Sequence, residues 1–249
     1  MTIIIMAVIG VIAGFVLDEL IARLAREPYE HGVAEDAYGP RGEHQQRHHD
    51  GGAPLELSSE AGALEMPRLL TTGAPYRRIV VVAATAGVFA LLGRQYHGDW
   101  HLAIVAFYAS VLIICTATDV LAYRVPNAVT YPAIVGTFLI GMFVPGANRL
   151  DVIGGGLLFG GLLFVPSILT GGAMGMGDVK LAFFVGFALG LTFVVPAMLI
   201  MAMSGGLAAA ILLITRLRGK GDPIPYAPFI AGGALVALLI QGTAFYSVG

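Results

Sequence analysis

Apolar runs of about 20 residues recur along this 249-residue chain, and no other feature limits its fold as strongly. A helix of that length crosses a ~30 Å hydrocarbon core. Inside such a core every backbone N–H and C=O must be paired within the chain, so only helices or a closed barrel can span it. A barrel would show short alternating segments, which are not seen here. Hydrophobic residues make up 57% of the chain and charged residues 12%, against roughly a quarter charged in soluble domains. The expectation is an all-α polytopic membrane protein. Its net charge of -2, with basic residues near helix ends, offers no surface for nucleic acid.

The runs divide the chain. Residues 1–22 read as a first transmembrane helix. It has no basic segment before it and no small-residue cleavage site, so it is expected to stay as an anchor with its N-terminus outside. Residues 23–77 are polar and rich in Gly, Pro, His and Glu, and read as a loop. Residues 78–249 hold seven further spans: 78–93, 101–118, 127–145, 150–169, 179–195, 197–215 and 226–246. The stretch 179–215 is too long for one crossing, and Pro196 marks the expected turn within it. About eight helices result, with both termini outside. Twelve of the 14 Lys and Arg residues then lie on the cytoplasmic side, leaving Arg94 and Arg149 outside, as the positive-inside rule requires.

Charge within such a chain is costly, so each acid near hydrocarbon needs a reason. Asp99, Asp151 and Asp222 fit loops. Asp18 and Glu19 lie near the inner end of the first span, where interfacial water or pairing with Arg23 accounts for them. Asp119 and Asp178 remain, each at the inner end of a span and 59 residues apart in sequence. Two facing carboxyl groups cannot both ionise cheaply and share one proton. One can then act as base and the other as acid, which is the equipment for activating water against an amide carbonyl.

The flanking residues suit that chemistry. Gly175 and Gly177 strip side chains from the backbone before Asp178, allowing an extended substrate to come close. The alternative is a merely flexible turn, to which Gly171 and Gly172 also contribute. Pro126 restricts Val125 to extended geometry and suits a first helical turn, so the helix bearing Asp119 ends by about Arg124, with Asn127 capping or bracing the turn. Pairing of Asp119 with Arg124 is the plain structural alternative. Lys180 either contacts substrate, balances the charge of the pair, or snorkels to the interface. Glycines spaced as Gly156–Gly160 and Gly186–Gly190 read as close helix contacts. Cys115, the one cysteine, sits in an apolar run and reads as packing. His31, His44, His48, His49 and Asp50 cluster in the polar loop, but without ligand spacing they read as solvated, and no metal site is expected.

These residues resemble the type IV prepilin peptidases, the bacterial branch of the GxGD membrane aspartic proteases. Asp119 followed by Val125-Pro126-Asn127 looks like the family's first catalytic aspartate with its Pro-Asn element. Gly175-Met176-Gly177-Asp178-Val179-Lys180-Leu181 looks like the GxGD motif with the lysine beyond it. Ile224-Pro225-Tyr226-Ala227-Pro228-Phe229 is similar to the start of the family's last helix, and Gly10 to Leu24 more loosely to its first. The resemblance implies an endopeptidase with catalytic Asp119 and Asp178. Gly175, Gly177, Lys180, Pro126 and Asn127 would support the motif or substrate. The implied substrate is a prepilin or pseudopilin with a short basic leader before a hydrophobic helix, cleaved at the cytoplasmic face of the bacterial inner membrane. Long members also carry two pairs of zinc-holding cysteines in the segment matching 23–77, and methylate the new N-terminus from S-adenosylmethionine. Those cysteines do not occur here, so proteolysis without a cofactor is expected, and zinc and S-adenosylmethionine are not.

A second class of function uses the same residue type: a proton-coupled membrane transporter also relies on intramembrane carboxylates. Such proteins place an acid near mid-bilayer in a broken helix, whereas both aspartates here fall at one face.

Overall fold

The computed structural model describes residues 1–26, 75–96, 99–169, 175–215 and 224–247. The polar segment with His31, His44, His48, His49 and Asp50 lies outside the described residues, as do Gly171 and Gly172. Seven helices follow one another: α1 (Thr2–Arg26), α2 (Pro75–Gln95), α3 (Asp99–Ala122), α4 (Asn127–Phe143), α5 (Arg149–Leu169), α6 (Met176–Ile214) and α7 (Ala227–Ile240). Five are long and apolar enough to cross a membrane, and α4 and α7 are shorter apolar helices. The protein is an all-α polytopic membrane protein. Large side chains such as Ile4, Leu157, Leu199 and Met203 are exposed on the outside of the bundle, as a lipid-facing surface requires.

The expected count of eight differs from seven because α6 contains two crossings. Its break is at Gly190, whose φ of 69° and ψ of 173° are not helical. Gly177, before the break, packs on Val125 beside the end of α3. Gly205, after it, packs on Tyr226, the residue preceding α7, and the N–H of Ala227 there donates to Asp119 of α3. Both ends of the run therefore return to the same end of the bundle. Pro196, the expected turn, lies inside the second limb. Proline lacks one N–H and kinks a helix, but glycine alone takes a positive φ without strain, so the reversal falls on the glycine.

Asp151 holds this reversal. It lies in the first turn of α5, and its Oδ1 accepts from the Thr192 N–H at 3.0 Å and the Thr192 hydroxyl at 2.7 Å. Its reading as a loop residue is corrected accordingly. The last span ends at Ile240 and not near 246. A hairpin of β1 (Gly242–Thr243) and β2 (Tyr246–Ser247) follows, and Ala244 N–H donates to Ala188 C=O at 3.1 Å.

Close packing rests on glycine. Gly155 meets Gly186 and Gly190 backbone to backbone, while Gly156 and Gly160 receive the rings of Phe187 and Phe183. Without apolar solvent exclusion in lipid, this fit between helices supplies much of their attraction. On the other side of the bundle, Gly10 and Gly14 bring α1 against Ala86 and Val82 of α2.

Asp18 is fully buried. Glu19 does pair with Arg23, at 3.3 Å, but Asp18 does not take that partner. Its carboxylate accepts from Arg77 Nε at 2.7 Å, Arg77 Nη2 at 3.2 Å and Arg78 Nε at 3.1 Å, all from α2. A buried charge needs both a counter-ion and hydrogen bonds, and the first turn of α2 supplies both.

Candidate active site

Asp119 lies in the last turn of α3, 6% exposed. The helix stops there for a local reason. Tyr123 N–H donates to Asp119 C=O at 2.8 Å, Tyr123 takes a φ of 49°, and Val125 leads into Pro126. Pro126, at φ -72° and ψ 124°, starts α4, and its carbonyl accepts from Val129 and Thr130 N–H. The expected turn is present: α3 ends at Ala122, before Arg124. Asn127 does not cap it: the N-cap is Pro126, with no side-chain hydrogen bond.

The carboxylate of Asp119 reaches across the bundle. Its Oδ2 accepts the Ala227 N–H at 2.9 Å. Ala227 opens α7, which has no side-chain cap of its own. The first N–H groups of a helix lack partners within it, and a carboxylate from another helix meets that need here. The sequence shows Pro225 and Pro228 around this point but not its partner, which lies 108 residues upstream. Arg124, the alternative partner considered for Asp119, donates to Leu24 C=O at 3.3 Å.

Asp178 is the third residue of α6. Its N–H donates to Gly175 C=O at 3.1 Å, starting the helix. A side chain at Gly175 would stand 3.3 Å from Asp178 Oδ2, and one at Gly177 would stand 2.8 Å from Val125 Cβ. These glycines thus let the start of α6 lie against the α3–α4 turn. Asp178 Oδ1 is buried without a hydrogen-bond partner among the described residues. The start of α6 packs through Gly177 on Val125, six residues after Asp119, so the two acids lie at the same end of the bundle.

Lys180, half a turn further on, ties the same two segments together. Its Nζ donates to Asn127 Oδ1 at 2.8 Å and sits 4.5 Å from the centre of the Tyr131 ring. Asn127 therefore braces the turn through Lys180. Asp119, Val125, Pro126 and Asn127 on one side and Gly175, Gly177, Asp178 and Lys180 on the other all gather at one end of the bundle. Cys115 is buried one turn before Asp119, as packing requires. No group of three or more His, Cys, Asp or Glu able to hold a metal occurs among the described residues.

Comparison with known proteins bears on the same region. A model of the type IV leader peptidase family matches residues 106–214. A Bacillus subtilis (strain 168) protein named prepilin leader peptidase/N-methyltransferase is 32% identical over 158 residues, covering 62% of this chain and 62% of that protein. Proteins of the same name are 31% identical over 173 residues in Burkholderia pseudomallei (strain K96243), covering 66% of this chain and 53% of the relative, and 30% identical over 134 residues in Aeromonas salmonicida (strain A449), covering 52% and 46%. The chain thus spans from under half to 62% of the length of these relatives. No solved structure matches it. The segment 106–214, which carries every residue of the site except Tyr226 and Ala227, is the part that matches the type IV leader peptidase family.

Proposed function

We propose that this chain is an aspartic endopeptidase that removes the leader of a prepilin or pseudopilin, working at the cytoplasmic face of the bacterial inner membrane with Asp119 and Asp178 as its catalytic pair. The observation that carries this reading is that Asp119 and Asp178 lie at the same end of the bundle, where the start of α6 packs on the α3–α4 turn, and that one Asp178 oxygen is buried with no hydrogen-bond partner among the described residues. A structural carboxylate is paired, as Asp18 is with two arginines and Asp151 with Thr192. An acid that exchanges protons with a reactant must keep an oxygen available.

The chemistry follows from the pair. One carboxylate takes a proton from water as the oxygen attacks the scissile carbonyl carbon. The other, protonated, delivers its proton to the carbonyl oxygen. The tetrahedral adduct collapses, the C–N bond breaks, and the amine leaves with a proton. The leader ends in a new carboxylate and the mature protein in a new amine. The Ala227 N–H holds Asp119 in place throughout, so the carboxylate needs no reorganisation. A basic leader suits a cytoplasmic face where Lys and Arg collect, and the hydrophobic segment after it stays in the bilayer.

The relatives' names also carry an N-methyltransferase activity. The donors present do not fit the zinc-holding cysteine pairs of long members. Cys115 is the chain's one cysteine, and it is buried in the core. No methylation step is derived.

The test is to reconstitute the protein in vesicles with a prepilin carrying its leader, and to read the product by mass. Loss of the leader, with no methyl group added to the new N-terminus, is the expected result. An intact prepilin accompanied by proton flux through the vesicle wall would favour the transporter instead.

Gly177→Ala provides a finer test. Its Cβ would meet Val125 Cβ at 2.8 Å and Cγ2 at 3.1 Å. The start of α6, with Asp178, must then move off the turn by a few tenths of an ångström. Since a 1 Å misplacement can cost ~10²-fold, a loss of roughly 10-fold in cleavage rate is expected. Alanine favours the helix over glycine, so local unfolding does not explain such a loss. Adding Val125→Gly removes the obstructing atoms and is expected to restore most of the rate.

A further inference from the structure

A cleft of about 340 Å³ lies between α2, α3 and α7. Its walls are apolar, apart from Thr116 and from Arg77 at one end. Arg77 to Val88 spans 11 residues of α2, or about 16 Å of helix, so the cleft runs through roughly half the hydrocarbon thickness. Two of its lining residues are chain neighbours of the site: Val120 follows Asp119, and Pro228 follows Ala227, the donor to Asp119.

We infer that this cleft seats the hydrophobic segment of the substrate that follows the scissile bond, as it passes from the dyad into the bilayer. The inference rests on the peptidase reading above and adds to it the surface that selects the substrate. Four observations carry it. One end of the cleft is lined by Val120 and Pro228, the chain neighbours of Asp119 and of its anchor Ala227. Its floor includes Ala84, Ala117, Ala231 and Gly232, small residues that let a helix backbone come close. A Cβ at Gly232 would meet nothing within 4 Å, so the space is open. Arg77, 7% exposed, has a buried Nη1 without a hydrogen-bond partner among the described residues. It stands where an extended stretch next to the scissile bond would present carbonyl groups.

Geometry also assigns direction. Asp18 and Arg78 stand with Arg77 at the dyad end, while Val88, Leu112 and Leu235 line the deeper end. A chain cut at the dyad would leave its basic leader on the charged side and its apolar helix along the cleft.

The experiment compares two substrates with the full chain in phosphatidylethanolamine/phosphatidylglycerol vesicles. One is a complete prepilin; the other is a peptide with the leader and scissile bond that stops before the apolar segment. Gly232→Phe fills the cleft. Gly136→Phe, whose position on α4 is equally open, is the matched control. The ratio of prepilin cleavage to peptide cleavage is expected to fall at least 10-fold in Gly232→Phe and to stay unchanged in Gly136→Phe. An unchanged ratio in Gly232→Phe overturns the inference, whether both rates hold or both fall together. Wild type that cleaves neither substrate overturns the peptidase reading and the cleft with it. If wild type cleaves prepilin only, photo-crosslinking decides. A photo-reactive residue in place of Val80, which lines the cleft at 58% exposure, is expected to label the apolar segment of the prepilin. Labelling confined to lipid, or to another part of this chain, overturns the inference.

Discussion

Asn in place of either Asp119 or Asp178 is expected to lower leader cleavage by roughly 10²–10⁴-fold, the range that positioned acid–base groups supply. The two groups act as one unit, so the double variant is expected to be no slower than the slower single one. The Asp119→Asn side chain keeps an amide oxygen for the Ala227 N–H, so α7 stays anchored and the loss reports chemistry. The measurement is prepilin processing by mass in cells that express both proteins, followed by rates in vesicles. Processing that survives either substitution would remove the dyad from the account.

Folding carries the second large effect. Gly190→Leu places a side chain where φ is 69°, against the Asp151 carboxylate and 2.9 Å from Ala244 Cβ. Positive φ strain and overpacking each cost about 1–3 kcal/mol. Displacing Asp151 also releases its two bonds to Thr192. A loss of roughly 3 kcal/mol or more is expected, a large share of an ordinary folding stability. Pro196→Ala, by contrast, removes only a helix-breaking residue from inside a limb, and is expected to leave the fold and its midpoint nearly unchanged. Thermal unfolding in mild detergent compares the two. A Gly190→Leu protein as stable as wild type would move the reversal elsewhere, with Pro196 the next place to look.

The contrast between Gly190 and Pro196 shows where sequence reasoning reached and where it stopped. The need for a reversal was visible, because a run of this length cannot cross once. Its position was not, because proline is a local signal, whereas the positive φ of Gly190 is supported by Asp151 on another helix, 39 residues upstream. Asp18 shows the same limit. Local spacing points to Arg23 as the partner of this acidic pair, and Glu19 takes it. Asp18 itself found Arg77 and Arg78 instead.

The sequence alone determined the helical class, a helix starting close to Asp178, and the Pro126 turn that ends the helix of Asp119. Each follows from bonds made within a few residues, since a chain in hydrocarbon must pair its own backbone locally. Only the tertiary structure decided that α7 delivers its first N–H to Asp119, that Gly177 lies on Val125, and that a cleft opens between α2, α3 and α7. These depend on contacts between residues far apart in the chain, 108 positions in the case of Ala227 and Asp119, which helix packing selects and periodicity does not encode.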